Sequence, residues 1–528
     1  MQDKDINQRK KPMLNFNNIK KIYFVGIGGI AMSAAANIAK VLGYDVLGSD
    51  SEDVYNPAKS VLDKAKIKYR LGYNQKNIES AKADLYILSA GESPKNPEVK
   101  YLIEKKLPRI SFPELLYEFS KDRLRIVVAG THGKTTVTGF LGHILKQIDD
   151  SSFMTGGVLQ NYQNNFSYGN GHYFIFEGDE YKSQFDDPTP KFHYYKPDIL
   201  ILCNLEYDHP DIFSSLDDLI QEFQQLIAKL PEDGLIIYNA DDVNLAKLIH
   251  QTNIANCGFS IENPSNFQVK DIKFSSEHTE FKVHNTYSKN LLDKTEDYKI
   301  QLPGKMNVYN ALAAITILRV LGFGYEQIAL ELLSFKGVKR RFELVGVKNG
   351  ITIIDDYAHH PTAVRETLEA ARLRYFSDDE YTPPLFSKEG VKGSSSQGSK
   401  TKDNNGRLWA IFEPHTFSRT KATLPELARA FDAADEVLIS EIYPARESAK
   451  EATLSSQDII NTILSSPSPG EGRGKRGRAV VDQKHVRLVR NKQEALRLLK
   501  DEAKSGDIVI IMAVGNFNKL AYELKSIL

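Results

Sequence analysis

The run Gly130-Thr131-His132-Gly133-Lys134-Thr135-Thr136 lies between an apolar stretch, 124–129, and a segment of helical pattern. In that context backbone N–H groups cradle phosphates. Lys134 is placed to reach the terminal phosphates of a nucleoside triphosphate, and the Thr135 hydroxyl is placed to ligate a magnesium ion. Strict Walker spacing would need glycine at position 128, where Val128 stands. The strict pattern fails. Strand, loop, Lys-Thr pair and helix nevertheless agree, so a triphosphate site is expected here in preference to a structural turn.

Two groups of acids follow apolar runs in the same region: Glu177-Gly178-Asp179-Glu180-Tyr181 and Asn204-Leu205-Glu206-Tyr207-Asp208-His209. In an open parallel sheet the ligand crevice lies beyond the carboxyl ends of the strands, on the side where the phosphate loop would sit. Glu177 is the expected magnesium ligand beside Thr135. His209 is placed near a second ion, although magnesium prefers oxygen to imidazole. Taken alone, these acids read more readily as solvated loop residues.

A separate glycine-rich turn, Gly26-Ile27-Gly28-Gly29-Ile30-Ala31, follows the apolar run 22–25, and Asp50 ends the next run. This is a dinucleotide-type pattern, in which Gly26, Gly28 and Gly29 let the backbone approach phosphate and Asp50 can bond a ribose hydroxyl. Taken by itself it suggests an NAD-dependent oxidoreductase, or a tight turn with no ligand. An oxidoreductase has no use for the second loop at Gly130. A regulatory nucleotide switch would use that loop without synthesis.

The elements that must hold these residues read as α/β. Short apolar runs at 22–25, 45–47 and 84–88 alternate with helical segments, and strands are expected again at 124–129, 172–176 and 199–203, before a helix at 307–321. Alternation in 266–300 predicts β-hairpins, and strands return at 351–354, 408–412, 436–439 and 508–512. A chain of 528 residues exceeds one hydrophobic core. Three domains are expected, at 1–120, 121–335 and 336–528. Segments 377–407 and 465–478 are rich in Ser, Gly and charge and read as surface insertions without catalytic role.

Lys plus Arg equals Asp plus Glu, 68 each, so bulk charge gives no hint of nucleic acid. Cys203 and Cys257 are the only cysteines, which excludes a disulfide scaffold and fits a reducing cytoplasm. Met1 to Lys21 is polar and basic, and no run approaches the roughly 20 apolar residues of a membrane span. No membrane partner is expected, and oligomeric state is not legible.

The ordered set of motifs resembles the Mur ligase family, ATP-dependent amide-forming enzymes of peptidoglycan precursor synthesis. It comprises the loop at Gly130, Glu177 to Tyr181, Asn204 to His209, Pro303-Gly-Lys-Met-Asn-Val-Tyr-Asn310, Arg340-Arg-Phe-Glu343 and Asp355-Asp-Tyr-Ala-His-His-Pro361. The resemblance runs from about Lys20 to Leu528 apart from the two insertions. It implies a three-domain Mur ligase architecture, with a Rossmann-like first domain binding the UDP-sugar at Gly26, Gly28, Gly29 and Asp50, a central P-loop domain binding ATP with Mg2+, and a Rossmann-like third domain receiving the amine. By the same resemblance Asn307 and Asn310 would read adenine, Asp356 would hold ribose, and Arg341 and His359 would reach the phosphates from the third domain. Lys134, His209, Arg341 and His359 are the implied catalytic set.

The implied reaction activates the lactyl carboxylate of UDP-N-acetylmuramate as an acyl phosphate, which an amine then attacks. Phe412-Glu-Pro-His-Thr-Phe-Ser-Arg-Thr420 and Glu441-Ile-Tyr-Pro-Ala-Arg-Glu447 resemble the branch that adds L-alanine, with His415 and Arg419 at the amine. Glu177 to Tyr181 with Pro190-Lys-Phe-His-Tyr-Tyr-Lys-Pro197 resembles the recycling branch that adds the tripeptide L-alanyl-γ-D-glutamyl-meso-diaminopimelate. The site rule favours L-alanine, since the third domain receives the amine. Met306 and Tyr73 stand where the family usually has histidine, Ala513-Val-Gly-Asn-Phe replaces Gly-Ala-Gly-Asp-Ile, and Gln224 lies where some branches carry a carbamylated lysine.

Overall fold

The computed structural model describes residues 15–51, 53–210, 212–287, 294–376, 406–445, 447, 454–465 and 485–528. Both expected insertions lie almost wholly outside these residues. The chain divides into two units, one holding residues up to Phe119 together with Lys182–Tyr194, the other Ser120–Tyr181 with Tyr195–Leu528. The excursion at 182–194 falls within the expected second domain, 121–335.

In the first unit, Lys21–Val25, Asp45–Asp50, Lys68–Leu71, Leu85–Leu88 and Arg109–Ser111 form a parallel sheet in the order 3-2-1-4-5. Helices on both faces bury Ile22 to Val25 and Leu85 to Leu88, which is why these strands are continuously apolar. Lys68–Leu71 is an exposed edge and carries no such signal. The excursion adds a two-stranded hairpin, Lys182–Gln184 with Asp187–Pro190.

The second unit contains two large sheets. The first has ten strands, and its middle reads Leu235–Asn239, Ile199–Leu202, Leu124–Ala129, Tyr173–Glu177 and Ser152–Leu159, all parallel. The predicted hairpins extend this sheet as an antiparallel meander, Phe267–Phe274, Thr279–Asn285 and Lys294–Ile300. Helices Lys134–Asp149 and Lys305–Val320 cover one face, and Phe140, Leu141, Leu312 and Ile315 close its core. Lys305–Val320 is apolar on nearly every side because it is wrapped by protein.

The other sheet has six strands: Glu343–Lys348, Ile351–Asp356, Ile508–Met512, Leu408–Phe412, Glu436–Ser440 and Val486–Val489. All are parallel except the first, an antiparallel edge. Separate apolar clusters fill its two faces, one around Phe412 and Phe431, the other around Trp409 and Leu520. Among the described residues no helix is long and apolar enough to cross a membrane.

Candidate active site

The strand Leu124–Ala129 lies between Ile199–Leu202 and Tyr173–Glu177, parallel to both. That register puts the loop at Gly130 and the two acid-bearing turns at one edge of the sheet. The carboxyl ends of Ile351–Asp356, Leu408–Phe412 and Ile508–Met512 supply further residues. Together they line a cavity of about 1050 Å3. Lys134, Thr135, Glu177, His209, Asn307, Asn310, Arg341, Asp356, His359, His415 and Arg419 all line it, with Thr131, His132, Gly133 and Thr136 of the loop.

The loop is closed by its neighbours. Thr131 N donates to Asn204 O, and His132 N donates to Asn204 Oδ1 at 2.8 Å. The Thr131 hydroxyl donates to Glu206 O. Gly133 has φ +84 and starts the helix Lys134–Asp149, and a Cβ there would stand 2.4 Å from Asn310 Oδ1. Glycine is required by both conformation and space.

Lys134 Nζ donates to the carbonyls of Gly130 and Thr131 and pairs with Glu180 at 3.0 Å. Burial opposes the ammonium charge, but Glu180, Glu177 and Asp179 outweigh it and raise the Lys134 pKa. Burial lifts the Glu180 carboxyl to about 7, with Lys134 pulling the other way. Glu180 lies in the same Glu177 to Tyr181 run, where residue type alone does not separate the acid that meets Lys134 from the one that meets Thr135.

Glu177 is anchored through Gly156 N, which donates to Oε2 at 2.7 Å, and its Oε1 accepts from the Thr135 hydroxyl at 2.9 Å. Adjacent ligands on an octahedral magnesium ion at about 2.0–2.1 Å lie about 2.9 Å apart. This pair of hard oxygens therefore has the separation of one edge of such a shell.

His209 is held differently from a metal ligand. Arg419 has only donors, so its NH2 group donating to His209 Nδ1 at 3.1 Å makes Nδ1 the accepting nitrogen. Nε2 then carries the proton and faces Asp208 Oδ2 at 3.7 Å. The ring would have to leave Arg419 before binding an ion. Arg419, expected at the amine, is 4% exposed and is engaged on Asp208 through Nε at 2.8 Å, on His415 Nδ1 at 2.8 Å and on His209. Burial disfavours the Asp208 charge, but the Arg419 guanidinium bonded to it helps hold the carboxyl well below the usual range.

His359 Nδ1 lies 2.9 Å from Tyr357 O, and a carbonyl can only accept, so Nδ1 carries the proton and Nε2 is the accepting nitrogen. Burial, then the charge of Arg419, holds this ring well below the usual imidazole range, hence neutral. Burial and Arg419 likewise push His415 down to about 4.

Of the arginine pair, Arg340 turns to the six-stranded sheet, donating to Ala513 O, while Arg341 lines the cavity. Both guanidinium groups lie over Tyr357, at 4.9 and 5.0 Å. Positive φ at Arg340 and Phe342, +62 and +49, makes the split possible. Asp356 lines the cavity, but Oδ2 accepts from Phe342 N at 2.6 Å and Oδ1 from Ala358 N at 2.7 Å. A ribose would share those oxygens with the backbone. Asn307 Nδ2 donates to Pro303 O and Asn310 Nδ2 donates to Asn307 Oδ1, with Met306 beside them in the lining. Gln224 is exposed, bonded to Gln251, and does not line the cavity.

In the first unit the glycine-rich turn is knitted to itself. Gly26 N and Ile27 N donate to Ser49 O, and Gly28 N donates to Asp50 Oδ2 at 2.7 Å. Asp50, expected at a ribose, thus braces the turn, while Tyr73 donates its hydroxyl to Glu92.

Residues 21–123 match the Mur ligase family catalytic domain, 128–318 the Mur ligase middle domain, and 340–379 the Mur ligase glutamate ligase domain. The chain belongs to the Mur ligase family, ATP-dependent amide-forming ligases of three-domain architecture. The UDP-N-acetylmuramate–L-alanine ligase of Caldanaerobacter subterraneus subsp. tengcongensis is 32% identical over 508 residues, 95% of this chain and 96% of that one. The fold is also that of the UDP-N-acetylmuramate-alanine ligase MurC of Thermotoga maritima, with TM-score 0.71 and 22% identity over 96% of this chain and 98% of that one. The murein peptide ligase of Psychrobacter arcticus 273-4 superposes with TM-score 0.67 and 27% identity, covering 96% and 99%.

Proposed function

We propose that this ligase joins L-alanine to the lactyl carboxylate of UDP-N-acetylmuramate, with cleavage of ATP to ADP and phosphate. The observation that carries the reading is the single cavity in which Lys134, Glu177 and Arg341 meet the neutral ring of His359. The 32% identical relative is named for UDP-N-acetylmuramate and L-alanine, which supports the choice of sugar and amine. In this reading residues 1–120 hold the UDP portion at Gly26 to Gly29, 121–335 bind ATP, and 336–528 receive the amine.

The carboxylate attacks the γ-phosphorus and ADP leaves, giving an acyl phosphate. Lys134 and Arg341 stabilise charge spreading over the transferring group, and the protein walls keep water from it. Thr135 and Glu177 would hold Mg2+, which when bound neutralises phosphate charge. The amine then attacks the acyl carbon as His359 Nε2 takes its proton, and phosphate departs. The Nδ1–H tautomer leaves the Nε2 lone pair to accept that proton, on a ring that burial and Arg419 make less basic than an ordinary imidazole. Arg419 and Asp208 act on the amine side by holding His415 and His209 in place.

Phosphate release is the test. It should require UDP-N-acetylmuramate and L-alanine together, and exceed release with the tripeptide L-alanyl-γ-D-glutamyl-meso-diaminopimelate. Preference for the tripeptide would move the protein to the recycling branch. ATP hydrolysis indifferent to both would defeat the ligase assignment for these substrates.

A further inference from the structure

His132 belongs to the phosphate loop, Glu206 follows the strand Ile199–Leu202, and His360 caps the helix Pro361–Tyr375 that leaves the six-stranded sheet. Three distant parts of the sequence therefore converge. One ligand atom from each lies within 4.8 Å of the others. His132 Nε2 stands 3.5 Å from Glu206 Oε2, and the two imidazole rings are 4.6 Å apart, centre to centre. We infer that His132, Glu206 and His360 form a binding site for one divalent transition-metal cation of the zinc class, separate from the Thr135–Glu177 pair.

Geometry supports this. Ligand atoms about 2.0–2.1 Å from a tetrahedral zinc ion lie about 3.3 Å from one another. The His132–Glu206 edge, at 3.5 Å, is already close to that value, and His360 offers a ring nitrogen within 4.8 Å of both. Chemistry agrees, since two imidazoles and a carboxylate select zinc or cobalt over magnesium. A second observation is independent of the spacing: His132 Nε2 is buried and has no close hydrogen-bond partner, only the 3.5 Å ion-pair contact with Glu206. A buried ring nitrogen without a partner is costly unless something else binds it.

The surroundings resemble a supporting shell. The Thr362 hydroxyl donates to Glu206 Oε2 at 2.9 Å, which orients the carboxylate. The Thr362 amide lies 3.4 Å from His360 Nδ1, a contact long enough to be released if the ring changes tautomer on metallation. All three ligands line the cavity, so the fourth coordination position is open to water or to an anionic oxygen. A cation there ties the phosphate loop to the start of Pro361–Tyr375 and stiffens the cavity from two sheets at once.

Cobalt substitution tests the site in the full-length protein. Four-coordinate Co2+ with nitrogen ligands absorbs strongly in the visible, whereas Co2+ on oxygen ligands in six-coordinate geometry absorbs weakly. Titration with Co2+ should give the strong spectrum at one equivalent, and one equivalent of Zn2+ should abolish it while a large excess of Mg2+ should not. His132→Asn and His360→Ala should each weaken Co2+ binding by at least about 100-fold, and Glu177→Gln should retain the spectrum. A weak six-coordinate spectrum in the parent protein would overturn the proposal, as would a strong one that survives His132→Asn. Should His360→Ala fail to fold, the parent titration and His132→Asn decide the matter alone.

Discussion

Arg419 Nε donates to Asp208 Oδ1 at 2.8 Å, joining residues 211 positions apart, and both side chains are almost wholly buried. The guanidinium also serves His209 and His415, so one cation orders three groups at the cavity wall. A buried charge that loses its partner typically costs about 3–5 kcal/mol, while removing both partners costs much less. Arg419→Met should therefore lower stability sharply, and adding Asp208→Asn should recover much of the loss. Chemical denaturation of the two single variants and the double variant checks this, and simple additivity would count against the pair.

Lys134→Ala should abolish turnover while leaving UDP-N-acetylmuramate binding nearly intact, because the sugar nucleotide is assigned to the first unit and Lys134 to the second. Calorimetric titration of the variant with UDP-N-acetylmuramate reads the second half. Equal loss of turnover and sugar binding would contradict that division.

Thr135→Val removes a hydroxyl and keeps the shape, so the variant should need at least about tenfold more Mg2+ for half-maximal rate. Thr135→Ser should behave like the parent. An unchanged Mg2+ dependence in Thr135→Val would remove the hydroxyl from the metal's shell.

Gly133→Ala places a methyl group against Asn310 Oδ1 at positive φ. The left-handed conformation alone should cost about 1–2 kcal/mol, and ATP affinity should fall with it. In an Asn310→Ala background the clash disappears but the backbone strain remains, so the stability loss should shrink without vanishing. Thermal unfolding of the four variants separates the two contributions.

The pH dependence of stability has a definite sign at His415. Its pKa is about 4 when folded against an ordinary 6.5, so between those values the unfolded chain binds the proton and the folded protein does not. Stability from this group is intact above 6.5 and declines as pH falls toward 4, by at most about 1.4 kcal/mol per pH unit. Glu180 and Asp355, both raised to about 7, act in the opposite sense, so the parent curve alone is a mixture. The difference in unfolding free energy between the parent and His415→Gln isolates the histidine. That difference should shrink on acidification from pH 6.5 to 4; a constant difference would mean that His415 titrates normally.

The sequence by itself determined the class of strand and helix along most of the chain, because buried parallel strands such as Ile199–Leu202 must be continuously apolar and the phosphate loop must carry glycine at 133. It also brought Lys134, Thr135 and Glu177 within view, since a parallel sheet sends its strand ends to one edge. Only the tertiary structure decided which polar groups are already engaged. Asp50 and Asp356 proved to brace backbone turns, Arg419 to bind Asp208, and Glu180 to hold Lys134. A motif gives residue types at a spacing along the chain, whereas hydrogen-bond partners are set by strand order and side-chain direction. For that reason no local pattern could have joined His132 to His360, which meet only because two sheets present their loops to the same cavity.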